Sequence, residues 1–293
     1  MNKIIVITGP TAVGKTRLSI ELAKKYNGEI INADAVQVYK GLNIGSAKVT
    51  EEEKEGIPHH LLDIKEVDEE YTIYHYQKDC REKIKEIQSR NKTPIIVGGT
   101  GLYIKAALYD YKLSKENNTN AYDNLTNEEL YKELIKLDKD IIIDKDNRRR
   151  LIRAINYYKE NNKSINTNKT NKLLYDVIFI GLTTDRQVLY NKINKRVDEM
   201  IENGLLEEVK SFYDKNIRTK PLLNAIGYRE VYNYLDGNCT KEEMVEKIKQ
   251  NSRHYAKRQY TFFNHKLPIV WFETDYNNFN NTIEKVASYI ESN

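Results

Sequence analysis

The sequence contains little cysteine and no long apolar run, and these two absences exclude several classes of protein. Its 293 residues include two cysteines, Cys80 and Cys239, which are too few and too widely separated for a disulfide framework or a zinc site. No apolar run approaches the roughly 20 residues that would span a bilayer. The apolar run Ile4–Ile7 is too short for the core of a signal peptide. We therefore expect a soluble, cytoplasmic protein with reduced thiols and no membrane contact.

The chain also lacks a strong charge imbalance. Its 47 Lys and Arg residues against 43 Asp and Glu residues give a formal net charge of +4. So small an excess says little about nucleic acid binding, and the distribution of the charges matters more than their sum. The length is sufficient for one large domain, or for a core with an inserted lobe.

Short β-branched runs that alternate with helical patterns predict the architecture. The runs with the pattern of buried parallel strands are Ile4–Thr8, Ile30–Asn32, Pro94–Val97, Val177–Leu182 and Pro268–Phe272. The helical patterns between them include Lys15–Tyr26, Thr72–Arg90 and Arg186–Asn203. Strands that alternate with helices predict an α/β fold with a mostly parallel sheet.

Residues 112–172 interrupt this alternation. They contain no strand pattern, their ends are rich in Asn and Lys, and Asn127–Asp138 and Asp146–Glu160 have helical patterns. The region after them is mainly helical as well, with patterns over Leu205–Phe212, Ala225–Leu235 and Lys241–Asn264. We therefore expect a core formed by residues 1–111 and 173–293, with an all-helical insertion at 112–172.

A phosphate-binding loop (P-loop) follows the first predicted strand. The residues Gly9-Pro10-Thr11-Ala12-Val13-Gly14-Lys15-Thr16 fit the pattern G-x-x-x-x-G-K-[ST] between a strand and a helix. Glycines let backbone N–H groups turn toward phosphate oxygens, while the helix N-terminus and Lys15 supply positive charge. Thr16 is positioned to ligate a Mg²⁺ ion that bridges the phosphates. The motif predicts a diphosphate-bearing substrate but does not identify the rest of that molecule.

Two other predicted strands end in polar residues that should lie beside the P-loop. Asp34 follows the second strand, at the mouth of the expected ligand crevice. It could bind a metal, cap a helix or act as a general base. The third strand ends in Gly98-Gly99-Thr100, where the glycines suit a tight turn or a close approach to a ligand. Thr100 adds a hydroxyl group at the same edge.

The order of these motifs resembles that of the bacterial tRNA dimethylallyltransferases. The similar segments are Gly9–Thr16, Ala33–Tyr39, Gly41–Lys48, Gly56–Ile64, Pro94–Ile104, Arg149–Ala154, Asp185–Arg186, Arg196–Asp198, Ala225–Glu230, Arg253–Gln259 and Phe262-Phe263. They cover nearly the whole chain, and their order is more specific than any one of them. The chain departs from the family pattern at Ala35 (Ser in the family), Asn156 (Glu) and Phe262-Phe263 (Trp-Phe), and its insertion is short.

This resemblance implies a reaction and roles for four residues. A dimethylallyl group would pass from its diphosphate to the exocyclic amine of the adenosine just 3′ of the anticodon, in tRNAs that read codons beginning with U. Lys15 and Thr16, with Mg²⁺, would stabilise the diphosphate leaving group. Asp34 would take the proton from the amine, and Thr100 would contact the diphosphate near the bond that breaks.

The resemblance also implies contacts with the anticodon stem-loop of the tRNA. The residues expected to contact tRNA are Asp34, Ala35, Val36 and Gln37 around the extruded base, and Arg253, Lys257, Arg258 and Gln259 on the C-terminal helix. Basic side chains among aromatic ones suit phosphates and an unstacked nucleotide, although a solvated charged face has the same pattern. The run Arg148–Arg153 could serve the diphosphate, as lid arginines do in P-loop kinases, or the tRNA.

Three other functions share parts of this pattern. A small-molecule kinase would have the same core, but no acid on a second strand resembles a Walker-B site. An enzyme that prenylates free adenosine nucleotides would share Asp34 and Thr100, with less use for the basic helix and the insertion. A binding protein without chemistry would not need an intact P-loop. We therefore expect a monomeric tRNA prenyltransferase that uses Mg²⁺ and consumes no ATP.

Overall fold

A parallel β-sheet lies at the centre of the computed structural model, which describes residues 3–111, 113, 122–166 and 172–293. Its strands are β1 (Ile4–Thr8), β2 (Gly28–Asn32), β3 (His59–His60), β4 (Thr93–Val97), β5 (Val177–Thr183) and β6 (Val270–Glu273). The order across this six-stranded sheet is β3-β2-β4-β1-β5-β6, and every neighbouring pair runs parallel. The predicted α/β class with a mostly parallel sheet is confirmed.

Helices form most of the chain between the strands. In chain order they are α1 (Lys15–Lys25), α2 (Glu51–Lys54), α3 (Ile73–Ser89), α4 (Gly101–Leu108), α5 (Asn127–Leu137), α6 (Arg148–Asn161), α7 (Arg186–Glu202), α8 (Leu205–Tyr213), α9 (Lys220–Asn224), α10 (Tyr228–Leu235), α11 (Lys241–Lys266) and α12 (Phe279–Ser292). The helix expected from Ala225 begins at Tyr228 instead, because Ala225 has an extended backbone (φ −71°, ψ 136°) and ends α9. No helix among the described residues is long and apolar enough to cross a membrane.

The chain divides into two units. One contains Met1–Ala107 together with Tyr175–Asn293, and therefore the whole sheet. The other is Leu108–Leu174, which contains α5 and α6.

The core of the first unit is built around the central strand. Every residue of β1 is buried, which explains its unbroken apolar run, because a parallel strand covered on both faces needs no polar side. Leu18 and Leu22, one helical turn apart on α1, pack in the same core as Val286 and Ile290 of α12. Burial of each such side chain contributes about 1.5–3 kcal/mol.

The second unit has a separate small core between its two helices. Leu130 and Leu134 of α5 lie in one apolar cluster with Leu151 and Ile155 of α6. The helix α5 starts with a capping box, in which Thr126 accepts a hydrogen bond from the backbone of Glu129 and the Glu129 side chain accepts one in return. The apolar stripes at helical spacing therefore account for the packing of this unit.

The edge strand β3 is held by a buried carboxylate that sequence patterns do not anticipate. Glu29 of β2 accepts hydrogen bonds from Arg90 (2.7 Å), forms an ion pair with Lys92 (2.9 Å) and lies 2.7 Å from the His60 Nε2 atom. We call Glu29, His60, Arg90 and Lys92 the Glu29 cluster. Burial raises the pKa of Glu29, but the hydrogen bonds from Lys92, His60 and Arg90 outweigh it and lower that pKa to about 2.

Parallel pairing brings the carboxyl ends of β1, β2 and β4 to one edge of the sheet. The P-loop follows β1, Asp34 follows β2, and Thr100 follows β4. In open α/β sheets this edge is where ligands bind, so the fold brings these three sequence motifs together.

Candidate active site

The P-loop has the backbone conformation that its sequence requires. Gly9 has a φ angle of 135°, and a Cβ atom at this position would lie 2.4 Å from the carbonyl oxygen of Leu182. Only glycine fits this turn without moving β5. The loop then passes through Ala12, which has a φ angle of 66°, and enters α1 at Lys15.

Lys15 is held against the backbone of its own loop. Its Nζ atom donates to the carbonyl oxygens of Gly9 (3.1 Å) and Pro10 (2.5 Å). Burial of the ammonium group, together with the positive charge of Arg196, lowers the pKa of Lys15 to about 7, although Asp34 opposes the shift. An anion bound in the loop would offset the cost of burying this ammonium group.

Asp34 uses one carboxylate oxygen to build its own turn. Its Oδ1 atom accepts from the backbone N–H groups of Val36 (2.8 Å) and Gln37 (3.3 Å), and its own N–H donates to Asn32 Oδ1 (3.1 Å). Within the described residues, no hydrogen bond engages its second oxygen, Oδ2. Asp34 therefore closes a turn and does not cap a helix, because the described residues directly after it form no helix, and its Oδ2 atom is left for a ligand.

Thr100 joins the turn after β4 to the turn after β2. Its Oγ1 atom accepts from the N–H group of Ala35 (3.2 Å), and its own N–H donates to the carbonyl oxygen of Ala33 (3.0 Å). The Thr100 side chain also lies near Tyr255 of α11. Burial, and then the negative charge of Asp34, raise the pKa of Tyr255 to about 12.

A second set of contacts holds the segment that follows residues 34–37, which we call the Asp34 turn. The carboxylate of Glu208, on α8, accepts from the consecutive N–H groups of Asn43 (3.0 Å), Ile44 (2.8 Å) and Gly45 (3.2 Å). It also accepts from the Tyr228 hydroxyl group (2.6 Å). We call residues 43–45 and Glu208 the Glu208 turn. The next residues, Ser46 and Ala47, accept from the side chain of Gln37 at 3.0 and 3.3 Å. Hydrogen bonds on both sides of this segment therefore link it to α8 and to Gln37.

The basic end of α11 lies in the same unit, and its residues differ in exposure. Lys257 and Arg258 are exposed, and the Arg258 guanidinium lies 5.6 Å from the ring centroid of Tyr255. Arg253 is partly buried and donates to Asn194 Oδ1 (2.6 Å). Gln259 is buried, 5% exposed, and its Nε2 atom donates to the carbonyl oxygen of Gly99 (3.1 Å), which fixes the turn after β4.

Sequence reasoning missed the role of Arg196, which α7 brings to the site. Burial lowers the pKa of its guanidinium, while the nearby carboxylates of Asp34, Glu53 and Glu199 oppose the shift. Two partly buried cations, Arg196 and Lys15, therefore lie within electrostatic range of one carboxylate, Asp34. The only sequence signal was the similarity of Arg196–Asp198 to a family motif.

The oxygen of Thr16 suits the metal expected there. Thr16 is exposed at the first turn of α1, and no hydrogen bond engages its hydroxyl group in the part of the chain that the structure describes. Among these residues there is also no group of three or more His, Cys, Asp or Glu side chains that could hold a metal. Mg²⁺ fits such a site, because it binds through one or two protein oxygens, substrate phosphates and water.

The arginine run belongs to the other unit, where its members differ. Arg148 donates to the backbone carbonyl oxygens of Tyr122 and Leu125 and so holds the start of α6. Arg153 lies 5.8 Å from the ring centroid of Tyr111. Arg149 and Arg150 are exposed, as a ligand-binding role requires.

Comparisons with known proteins agree with the order of the motifs. The chain matches the family model of the IPP transferases over residues 37–266. A tRNA dimethylallyltransferase of Anoxybacillus flavithermus is 48% identical over 299 residues, which cover 99% of this chain and 96% of that protein. A crystal structure of a tRNA delta(2)-isopentenylpyrophosphate transferase from Staphylococcus epidermidis has a TM-score of 0.77 at 40% identity, covering 100% of this chain and 99% of that one. A eukaryotic dimethylallyltransferase acting on tRNA has a TM-score of 0.89 at 29% identity, covering 100% of this chain and 79% of that one.

Proposed function

The chain belongs to the tRNA dimethylallyltransferase family, and from this premise we propose that its acceptor is the adenosine next to the anticodon on the 3′ side. It is a transferase that prenylates tRNA with dimethylallyl diphosphate. The acceptor tRNAs would be those that read codons beginning with U. The observation that carries the proposal is the carboxyl edge of the sheet, where the P-loop with Lys15, the Asp34 turn and Thr100 meet, with the Thr100 hydroxyl group 3.2 Å from the N–H group of Ala35. Arg196 lies close enough to affect the charge of Lys15 there.

The diphosphate would lie in the P-loop, with its charge facing Lys15 and Arg196. The bond between the first dimethylallyl carbon and the diphosphate oxygen breaks, and the diphosphate leaves with the electron pair. Cations fixed where this negative charge develops stabilise the transition state more than the ground state. Thr100, at the end of the adjacent strand, would contact the diphosphate near the breaking bond.

The adenine amine is a weak nucleophile, because its lone pair is delocalised into the ring. Asp34 would accept the proton of this amine on Oδ2 as the bond from nitrogen to carbon forms. Because Oδ1 is held by two N–H groups of the Asp34 turn, the carboxylate is positioned before the substrate arrives. Ala35, Val36 and Gln37 would border the base, which must leave the loop stack at a cost of a few kcal/mol.

We propose Mg²⁺ as the cofactor and the Thr16 hydroxyl group as its protein ligand. When bound, the ion would neutralise charge on the diphosphate and make it a better leaving group. With the Thr16 hydroxyl group, diphosphate oxygens and water as ligands, the ion needs no cluster of acidic side chains. This accounts for the exposed threonine at the first turn of α1.

The partner is the anticodon stem-loop, and the exposed Lys257 and Arg258 of α11 would contact its phosphates together with Arg253. Gln259 would support these contacts by holding the turn at Gly99. A direct contact of Gln259 with tRNA stays a prediction. The helical insertion expected at 112–172 would face the tRNA, and Arg149 and Arg150 would bind either that tRNA or the diphosphate. We propose that the enzyme acts as a monomer in the cytoplasm.

A transfer assay with alternative acceptors tests the proposal. Purified protein, Mg²⁺ and labelled dimethylallyl diphosphate are incubated with unmodified tRNA that carries adenosine beside the anticodon, or with AMP. A further reaction contains ATP in place of the prenyl donor. Label on tRNA alone, lost when that adenosine is replaced by guanosine, supports the proposal. Label on AMP would indicate an enzyme of free nucleotides, and ATP hydrolysis without prenyl transfer would indicate a kinase.

A further inference from the structure

Residues 274–279, the turn between β6 and α12 together with the first residue of α12, contact the P-loop at the carbonyl groups of Ala12 and Val13. We call this segment the β6–α12 turn. The Thr274 hydroxyl group donates to the carbonyl oxygen of Val13 (3.0 Å), and the Tyr276 hydroxyl group donates to that of Ala12 (3.2 Å). Two consecutive peptide groups of the loop are thus held by side chains more than 250 residues away in the sequence.

The aromatic ring of Phe279, in the same segment, packs against the P-loop where the loop enters α1. Gly14 has a φ angle of 91°, and a Cβ atom at this position would lie 2.6 Å from the Phe279 ring. Arg17, one turn into α1, has its guanidinium 4.8 Å from the centroid of that ring. Phe279 is 7% exposed, so the ring packs directly on the loop.

The β6–α12 turn is itself fixed by hydrogen bonds. The N–H group of Thr274 donates to the carbonyl oxygen of Thr183 in β5 (2.8 Å). The Asp275 carboxylate accepts from the N–H groups of Asn277 (3.0 Å) and Asn278 (2.8 Å) and from the Asn281 side chain (2.9 Å). The turn can therefore act as a rigid support.

We propose that the β6–α12 turn positions the P-loop for diphosphate binding, with Thr274 and Tyr276 as positioning residues. In a trans peptide the C=O and N–H groups point in opposite directions. Holding the carbonyl groups of Ala12 and Val13 therefore directs the N–H groups of Val13 and Gly14 to the other side of the loop. Neither N–H group has a hydrogen-bond acceptor among the described residues, which leaves both available for phosphate oxygens. This inference rests on the proposed binding of diphosphate by the P-loop.

The test removes the two hydroxyl groups separately and together, as Thr274→Val, Tyr276→Phe and the double variant. Inorganic pyrophosphate with Mg²⁺ is titrated by calorimetry, and KM is measured separately for dimethylallyl diphosphate and for tRNA. Each single change is expected to weaken pyrophosphate binding roughly threefold to tenfold, as the loss of one hydrogen bond would. KM for the prenyl donor should rise similarly, while KM for tRNA stays the same. Thr274→Ser keeps the donor and should retain full affinity.

Two matched variants control for a general loss of stability. Thr93→Val removes a hydroxyl group that donates to the carbonyl oxygen of Tyr26 (3.0 Å) at the opposite end of the sheet. Tyr213→Phe removes one that donates to the carbonyl oxygen of Leu235 (3.2 Å) and to Asp236 (2.9 Å). Both controls should leave pyrophosphate affinity unchanged.

The proposal is overturned if the double variant binds pyrophosphate as tightly as the unmodified protein. It is also overturned if the controls lose as much affinity, or if KM for tRNA rises in parallel with KM for the prenyl donor. Absence of pyrophosphate binding by the unmodified protein would overturn the proposed function itself, and the inference with it. The first three results leave the proposed function standing, so the two failures can be distinguished.

Discussion

Replacing Asp34 with asparagine, and separately with alanine, should separate the two roles that its carboxylate can have. Asparagine keeps an Oδ1 acceptor for the N–H groups of Val36 and Gln37 but cannot take a proton at neutral pH. Alanine removes both the acceptor and the base. The two variants should therefore differ in stability and agree in the loss of catalysis.

The expected magnitudes follow from these contacts. Loss of a general base typically slows a reaction by a factor of about 10²–10⁴, which corresponds to about 3–5 kcal/mol of transition-state stabilisation. Both Asp34→Asn and Asp34→Ala should show this loss in kcat. Only Asp34→Ala should also lose about 1–2 kcal/mol of unfolding free energy, because two N–H groups lose their acceptor.

A secondary effect on Lys15 can be distinguished by pH. The negative charge of Asp34 raises the pKa of Lys15, which lies at about 7 in the intact protein. Either variant should lower that pKa further, so that less of the lysine is charged at neutral pH. KM for dimethylallyl diphosphate should then rise at pH 7.5 and recover partly at pH 6, while kcat stays low.

Single-turnover transfer, tRNA affinity by filter binding and urea denaturation give the three required measurements. Affinity for tRNA should change much less than turnover. If Asp34→Asn retains normal single-turnover rates, Asp34 is not the base and its function is the turn alone. If affinity collapses while turnover stays normal, Asp34 is a binding residue.

Further predictions concern tRNA binding, acid stability and the Glu208 turn. Lys257→Ala should weaken tRNA binding and reduce the slope of log K against log salt by about 0.7–0.9. Lys241 is exposed on the same helix, so Lys241→Ala is the control. If Lys257→Ala has the same slope as the unmodified protein, this face of the helix does not contact RNA. The pKa of Glu29 is about 2 in the folded protein and higher in the unfolded chain. The ionised carboxylate therefore stabilises the fold fully above the unfolded pKa, and this stabilisation is lost as the pH falls toward 2. Glu29→Gln should therefore remove about 1–2 kcal/mol of unfolding free energy at pH 7 but much less at pH 3, and an equal loss at both would contradict the ion-pair explanation. Glu208→Ala should lower the unfolding free energy by about 2–3 kcal/mol, since the Glu208 turn and Tyr228 lose their acceptor; a loss below about 1 kcal/mol in urea denaturation would contradict this.

The sheet and the P-loop could be predicted because their signals are local. The apolar run of β1 and the glycines at 9 and 14 are neighbours in sequence, and the motif itself requires a strand before it and a helix after it. The short strand β3 could not be predicted in this way. Two histidines have no strand pattern, and His60 contacts Glu29, which in turn pairs with Arg90 and Lys92. These three partners come from other segments. The family itself, predicted from the order of the motifs, is confirmed.

The candidate site was predictable where its residues follow strands and not where they come from distant helices. Asp34 and Thr100 could be placed because parallel strands carry their carboxyl ends to one edge. Arg196 and Tyr255 lie in the middle of α7 and α11, where a charged or aromatic residue is ordinary. Helical periodicity alone does not indicate that such a residue points toward the candidate site and not toward solvent or the core.

The charges of the pocket explain why these residues must act together. Burial lowers the pKa of Lys15 and that of Arg196, the charge of Arg196 lowers the pKa of Lys15 further, and the charge of Asp34 opposes the shift of both. A diphosphate would reverse the balance, because its negative charge favours both cations in their charged form. Removing Arg196 would therefore have two opposite effects: one cation is lost, and the pKa of Lys15 rises. Above pH 7 more of Lys15 would then be charged in the Arg196→Ala variant than in the unmodified protein. The variant should therefore lose less diphosphate affinity at high pH than the loss of one full charge would cause. Measuring pyrophosphate affinity of that variant between pH 6 and pH 9 would reveal this coupling, and a pH dependence identical to that of the unmodified protein would show that the two cations act independently.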